Sequence, residues 1–193
     1  MSTGKSNIMA DRLVKLIRGG ETVFKADDLA NAWGITDTNT LHVTLYRAVK
    51  KGLLYRLAKG VYSILPPDRV DPLMLGARML HDHTYVSTES VLSEEGYISH
   101  VIPAITFVSS RSLKWSVPLA GSEQSYISRQ LATRYLYNDT GITTQNGIRK
   151  ASLYRAIADM LYANPRYHFD RPVDDVKVKA MQRSIGYPIT TRR

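Results

Sequence analysis

Asn39, Val43 and Arg47 recur every four residues along a short run whose other members include Thr40, Tyr46, Lys50 and Lys51, and these side-chain types suit one chemistry, contact with duplex DNA. Asn and Arg pair with purine edges, and Val touches a thymine methyl group. Thr, Tyr and Lys hold phosphates. Asn39, Val43 and Arg47 are therefore expected to read bases, and Thr40, Tyr46, Lys50 and Lys51 to hold the backbone. Arg56 and Lys59 follow at a distance that suits a basic hairpin entering or flanking the minor groove.

Other constellations are weaker. Gly4-Lys5-Ser6 resembles the end of a phosphate-binding loop but lacks the earlier glycine and the preceding strand that would aim its backbone N–H groups. His81-Asp82-His83 offers ligand types for a metal, yet residues two apart diverge on a helix, and zinc wants four ligands or three with a water. A histidine-bearing helix end is the simpler account. No serine sits in a G-x-S-x-G elbow, so a hydrolase triad has no support. Asp159 is flanked by apolar residues and is expected to pair with Arg155 one turn earlier, as a structural group. Tyr126, Tyr135, Tyr137, Tyr154, Tyr162 and Tyr167 lack the alternation of a stacking sheet for single strands and read as a tyrosine-rich core with hydroxyls reaching the surface. No catalytic residue, metal or cofactor is expected.

The elements that would position the DNA-contacting set are legible around it. Asp37 or Thr38 can cap a helix on which Leu41, Leu45, Ala48 and Val49 form one apolar stripe, and Gly52 ends it. At about 100° per residue, the opposite face carries Asn39, Val43, Tyr46 and Lys50, with Thr40 and Arg47 on its shoulder. Leu54–Leu57 and Val61–Ile64 read as two strands joined through Ala58, Lys59 and Gly60. Upstream, Ile8, Leu13, Leu16 and Ile17 mark a first helix, Thr22–Phe24 an extended segment, and Ala26–Trp33 a second helix closed by Gly34. Helix, helix, turn, helix, hairpin is the winged-helix order.

Lys and Arg number 26 against 17 Asp and Glu, a net charge of +9 that favours a polyanionic partner. Residues 1–65 hold 10 basic and 5 acidic side chains and the longer remainder 16 and 12, so the N-terminal segment is denser in net positive charge. With 193 residues, 44% of them hydrophobic, the chain can bury a proper core. The absence of cysteine excludes disulfides and thiolate zinc sites. No long apolar run or charged-then-apolar leader is visible, so a cytoplasmic location without membrane contact is expected.

Pro66-Pro67 stops the second strand of the hairpin and marks the expected boundary. The fold class is α+β: a winged helix-turn-helix DNA-binding domain over residues 1–65, then a mixed α/β domain over residues 66–193. In the latter, Asp71–His81, Ser87 as a cap with a helix to about Glu95, Ala151–Ala163 and Asp174–Ser184 read as helices. Ala104–Ser109, Leu113–Val117 and Tyr126–Leu131 read as strands, and Thr190–Arg193 as a loose tail.

Three segments carry a family resemblance. LYRAVKKGLLYRLAKGVYSI from Leu45 leads a helix ending Lys-Lys-Gly into a basic hairpin ending Gly-Val-Tyr. YVSTESVLSEEGYISHVIPAITFVSS from Tyr85 gives a small helix, a glycine and a strand, and IRKASLYRAIADMLYANPRYHFD from Ile148 gives an Ala-Ser entry into an Ala-Ile-Ala-Asp helix. Together they resemble the AbiEi-type antitoxins of abortive-infection toxin-antitoxin systems, a phage-defence family. The resemblance implies a transcriptional repressor that binds inverted repeats in its own promoter. It also implies counteraction of a nucleotidyltransferase-like toxin, without requiring a stable complex. It assigns the C-terminal domain to the antitoxin or effector role. One short winged helix buries limited surface, so two copies on the repeated DNA site are expected. The alternative is a one-component winged-helix regulator whose C-terminal domain senses a ligand or protein, and a third reading is an enzyme or accessory factor acting on nucleic acid or on the toxin.

Overall fold

The computed structural model describes residues 3–18, 20–80, 83–99 and 103–190. The chain forms two compact units, Met1–Met79 with Val117–Glu123, and Leu80–Ser116 with Gln124–Arg193.

The first unit opens with α1 (Thr3–Arg18), so Gly4-Lys5-Ser6 lies on a helix and not in a phosphate-binding loop. Strand β1 (Val23–Lys25), α2 (Ala26–Trp33), α3 (Thr38–Lys50), β2 (Tyr55–Ala58) and β3 (Val61–Ser63) follow in the winged-helix order. The three strands pair as β1-β3-β2, both pairs antiparallel. Leu16, Phe24, Leu29, Trp33, Leu41, Leu45, Ala48, Leu54 and Tyr62 share one core, which holds three of the four residues of the expected α3 stripe. Val49, the fourth, packs partly buried against it.

Side chains set the start of both inner helices. The Asp28 carboxylate accepts the Lys25 N–H at 2.9 Å at the entry to α2. The Asp37 carboxylate accepts the Thr40 N–H at 2.7 Å and caps α3. After Pro67–Arg69, a single 3-10 turn, α4 (Pro72–Met79) belongs to the same unit. Its Arg78 pairs with Glu21 and lies 4.0 Å from Asp28.

The second unit is built on a six-stranded sheet, of which the end of β6 and the start of β7, within Val117–Glu123, group with the first unit. Its strands are β4 (Tyr85–Val86), β5 (Ala104–Ser109), β6 (Leu113–Leu119), β7 (Ser122–Gln130), β8 (Ile142–Gln145) and β9 (Ile148–Ala151), in the order β6-β7-β5-β4-β9-β8. β5 runs parallel to β7, and β4 parallel to β9 but antiparallel to β5. The helices are α5 (Glu89–Glu94), α6 (Thr133–Leu136), α7 (Leu153–Ala163) and α8 (Asp175–Ile185). α7 is buried along its middle, from Arg155 to Leu161.

Five points differ from expectation here. Ser87 does not cap α5: Thr88 precedes the helix, and the Ser87 hydroxyl donates instead to Asp159 at 2.8 Å. β6 runs to Leu119, and β7 starts at Ser122 and not at Tyr126. β4, β8 and β9 are strands where none was expected, and α6 is an additional short helix.

The turn into α5 is held against its own backbone preference. Thr88 is buried with φ of 51°, a left-handed value that a β-branched residue rarely adopts. Thr106 fixes it: its hydroxyl donates to the Ser87 carbonyl at 2.6 Å and accepts the Ser90 N–H at 2.8 Å. Its own N–H donates to Ser90 Oγ at 2.8 Å.

Candidate nucleic-acid interface

α3 turns its apolar stripe inward and leaves a polar and aromatic surface outside. All nine expected contact residues, Asn39, Thr40, Val43, Tyr46, Arg47, Lys50, Lys51, Arg56 and Lys59, are exposed. Val43 is 46% and Tyr46 67% exposed, so the outer face of α3 carries apolar as well as polar surface.

At about 100° per residue, the exposed side of α3 divides into a crest and two flanks. Asn39, Val43 and Lys50 form the crest. Tyr46 leans to one flank with His42, and together with Arg56, Lys59 and Tyr62 of the hairpin they line a cleft of about 480 Å³. On the other flank Thr40, Thr44, Arg47 and Lys51 recur in one row and line a groove of about 320 Å³ with Met9 and Arg12 of α1. Neither cleft has a carboxylate among its described lining residues. An α-helix about 10–12 Å across fits a B-DNA major groove about 12 Å wide, so two cationic flanks would face the two phosphate walls while the crest faces base edges.

The wing is a short hairpin with an irregularity. Arg56 pairs with Tyr62 and Ala58 with Val61, leaving Leu57 as an extra residue on β2. Gly60 makes the turn at φ of 74°, and its carbonyl accepts the Ala26 N–H at 2.9 Å, tying the hairpin to the start of α2.

Thr40 is less free than its type suggests. Its hydroxyl donates to Asp37 at 2.6 Å, so a phosphate could take that proton only from the cap. The Asp37 carboxyl is held below the usual carboxylate range, first by that hydroxyl and then by the Thr40 N–H. His42, Thr44 and Arg12 were missing from the expected set. His42 stands one turn before Tyr46, a signal present in the sequence, whereas Arg12 reaches α3 only through the packing of α1.

Residues 11–64 match the family model described as "Transcriptional regulator, AbiEi antitoxin". The matched stretch begins within α1 and ends just past β3, so it takes in α3, the hairpin and the lining of both clefts apart from Met9. No curated protein matches the chain. Among solved structures, the fold is similar to "Crystal structure of RV2827C protein from Mycobacterium tuberculosis", at 13% identity and a TM-score of 0.50. That likeness covers 94% of this chain and 72% of the other, and at this identity it is one of fold alone.

Outside the matched stretch, the charged pair on α7 of the second unit is fully partnered. Arg155 and Asp159 are both buried. Arg155 donates through Nε to Asp159, through Nη1 to the Asn138 and Thr140 carbonyls at 2.8 and 3.0 Å, and through Nη2 to Tyr85 Oη and the Tyr135 carbonyl at 2.7 and 3.3 Å. Asp159 also accepts from the hydroxyls of Tyr187, Ser87 and Tyr85 at 2.6, 2.8 and 3.0 Å. Five donors and a full carboxylate are thus satisfied, and the pair is structural, as the spacing of the two residues suggests. Burial pushes the Asp159 carboxyl up, against the guanidinium and hydroxyls that hold it down. Burial and the Asp159 charge push the Tyr85 and Tyr187 hydroxyls well above the usual range.

A second pair went unnoticed in the sequence. Arg129 on β7 donates through Nε to Glu89 Oε2 at 3.1 Å and through Nη2 to Glu89 Oε1, with Glu89 buried. Of the tyrosines, Tyr126 and Tyr135 are core residues while Tyr137 is exposed. His81 and Asp82 of the His81-Asp82-His83 motif lie outside the described residues, as do the last three residues of the tail. Among the described residues no cluster of His, Asp and Glu is placed to hold a metal, and no helix is long and apolar enough to cross a membrane.

Proposed function

We propose that this protein is a DNA-binding antitoxin and autorepressor. In this reading residues 1–65 bind double-stranded DNA at inverted repeats in the protein's own promoter. Residues 66–193 serve the antitoxin or effector role against a nucleotidyltransferase-like toxin, with no stable complex needed. The protein acts by binding and not by catalysis, and two copies meet on the repeated site.

The observation that carries the reading is the exposed crest of α3, within residues that match an AbiEi regulator model, between two cationic clefts with no acidic side chain among their described lining residues. Asn39, Val43 and Arg47 read base edges. Thr40, Tyr46, Lys50 and Lys51 hold phosphates, and Arg56 and Lys59 flank the minor groove.

The test is binding of the purified protein to the DNA upstream of its own gene, against a random duplex, at several salt concentrations. Tight, selective binding that an Arg47→Ala, Lys59→Ala variant loses is the expected result. Equal weak binding to both duplexes would overturn the repressor reading. Co-expression with the product of the adjacent gene then tests the antitoxin role: rescue of growth is expected, and growth arrest despite folded protein would refute it.

A further inference from the structure

We infer that the groove between α1 and α3 is a second backbone-binding subsite, in which Arg12 and Lys51 clamp a phosphate of the DNA strand opposite the wing. This rests on the DNA-binding reading above and extends it to α1, a helix outside the reading helix and the wing.

The geometry comes from two elements. Thr40, Thr44 and Arg47 on α3 and Lys51 at its C-cap stand at i, i+4, i+7 and i+11, a nearly straight row rising about 16 Å along the helix direction. α1 runs beside that row and closes the groove, with Met9 in its lining and Arg12 bringing a third cation. The Arg12 guanidinium sits 5.5 Å from the centroid of the Trp33 ring, a cation–π contact that keeps the side chain at the groove. The groove of about 320 Å³ is open enough to receive a phosphate, and the charged groups in its lining are Arg12, Arg47 and Lys51.

Two neighbouring groups define what the subsite does. Thr40 spends its hydroxyl proton on Asp37, so the negative end of this row lies at the start of α3 and the cations lie further along. Arg47 stands between crest and groove, free to serve a base edge, which leaves Arg12 and Lys51 as the phosphate-holding pair. The wing cleft supplies Arg56 and Lys59 on the other flank. A helix seated in the major groove is then held from both walls, which fixes its depth and tilt before any base is read.

The experiment measures binding of the full chain to its upstream duplex and to a random duplex between 50 and 300 mM KCl, chosen as order-of-magnitude bounds on the useful salt range. Arg12→Gln and Lys51→Gln should each make the slope of log affinity against log salt shallower by about 0.9, the loss of one phosphate contact. Both should weaken the two duplexes by the same factor. Arg12→Lys should recover most of the slope. Lys51 is exposed, so its variant reports on the groove even where Arg12→Gln disturbs the packing of α1. An unchanged slope in Lys51→Gln and Arg12→Gln, with binding still lost in the Arg47→Ala, Lys59→Ala variant, overturns the subsite and leaves the DNA-binding reading standing. Absence of wild-type binding overturns both.

Discussion

Arg155 Nε donates to Asp159 Oδ1 at 3.0 Å across one turn of α7, and neither side chain reaches water. A charged pair in this position is expensive to form and more expensive to break. Asp159→Ala leaves a buried guanidinium without its counter-ion and should cost about 3–5 kcal/mol. An Arg155→Met, Asp159→Leu double replacement removes both charges and should cost much less than the two single changes added together. Urea unfolding of the three variants measures this, and additive losses would show that the pair acts as two independent groups.

Alkaline pH attacks the same cluster through its tyrosines. The hydroxyls of Tyr85 and Tyr187 are raised in the folded state by burial and by the Asp159 charge. A raised folded value means that stability is fully present below the unfolded tyrosine pKa of about 10 and falls as pH climbs above it. The loss should approach about 1.4 kcal/mol per tyrosine for each pH unit above that point. Unfolding free energies between pH 8 and 11 should therefore fall less steeply in a Tyr85→Phe, Tyr187→Phe variant than in the wild type.

Arg47 and Lys50 are three residues apart on α3 and should fail differently. Arg47→Ala should cost on the order of 1–3 kcal/mol at the upstream site and relax base preference there. Lys50→Ala should weaken every sequence alike and flatten the salt dependence. Competition binding against single-base variants of the site separates the two. Equal loss on specific and random DNA from Arg47→Ala would remove it from the base-reading set.

Val43 tests the crest without touching the core. Because the side chain is 46% exposed, Val43→Asp should leave the unfolding free energy within about 0.5 kcal/mol of the wild type. A carboxylate there faces base acceptors and two phosphate walls, so DNA binding should fall by roughly tenfold or more. Circular dichroism melts beside binding isotherms check both halves, and intact binding would show that DNA approaches another surface.

The N-terminal architecture was legible because its signals are local. Asp37 caps α3 through the Thr40 N–H three residues on, and Leu41, Leu45 and Ala48 mark its buried stripe within two turns. The second unit was harder to read because its sheet is assembled from distant, short pieces. β4 is two residues, and only its pairing with β5 and β9 makes it a strand. The β8–β9 hairpin was missed although its turn carries a local signal, Asn146-Gly147, with both residues at positive φ as a two-residue turn requires. Its strands, ITTQ and IRKA, are too polar to show the alternation that would have flagged them. Ser87 has the type of a helix cap but serves Asp159, 72 residues away, which no local pattern reveals.

The same reasoning separates what was visible at the proposed DNA-facing surface from what was not. Exposure of all nine expected residues follows from helical periodicity and the hairpin alone. The two clefts do not, because one needs the wing folded back beside His42 and Tyr46 and the other needs α1 laid along Thr44 and Lys51.

The bonds from Thr40 to Asp37 are internal to the chain and fasten the first turn of α3 by themselves. A reading helix that had to order itself on arrival would pass through loosely held encounters and lose conformational freedom at each one. With the turn already rigid, docking becomes the meeting of two preformed bodies. On the proposed DNA-binding reading, the rate is then governed by charge steering between a cationic face and the duplex, and dwell time on the DNA by how well the crest matches the sequence beneath it.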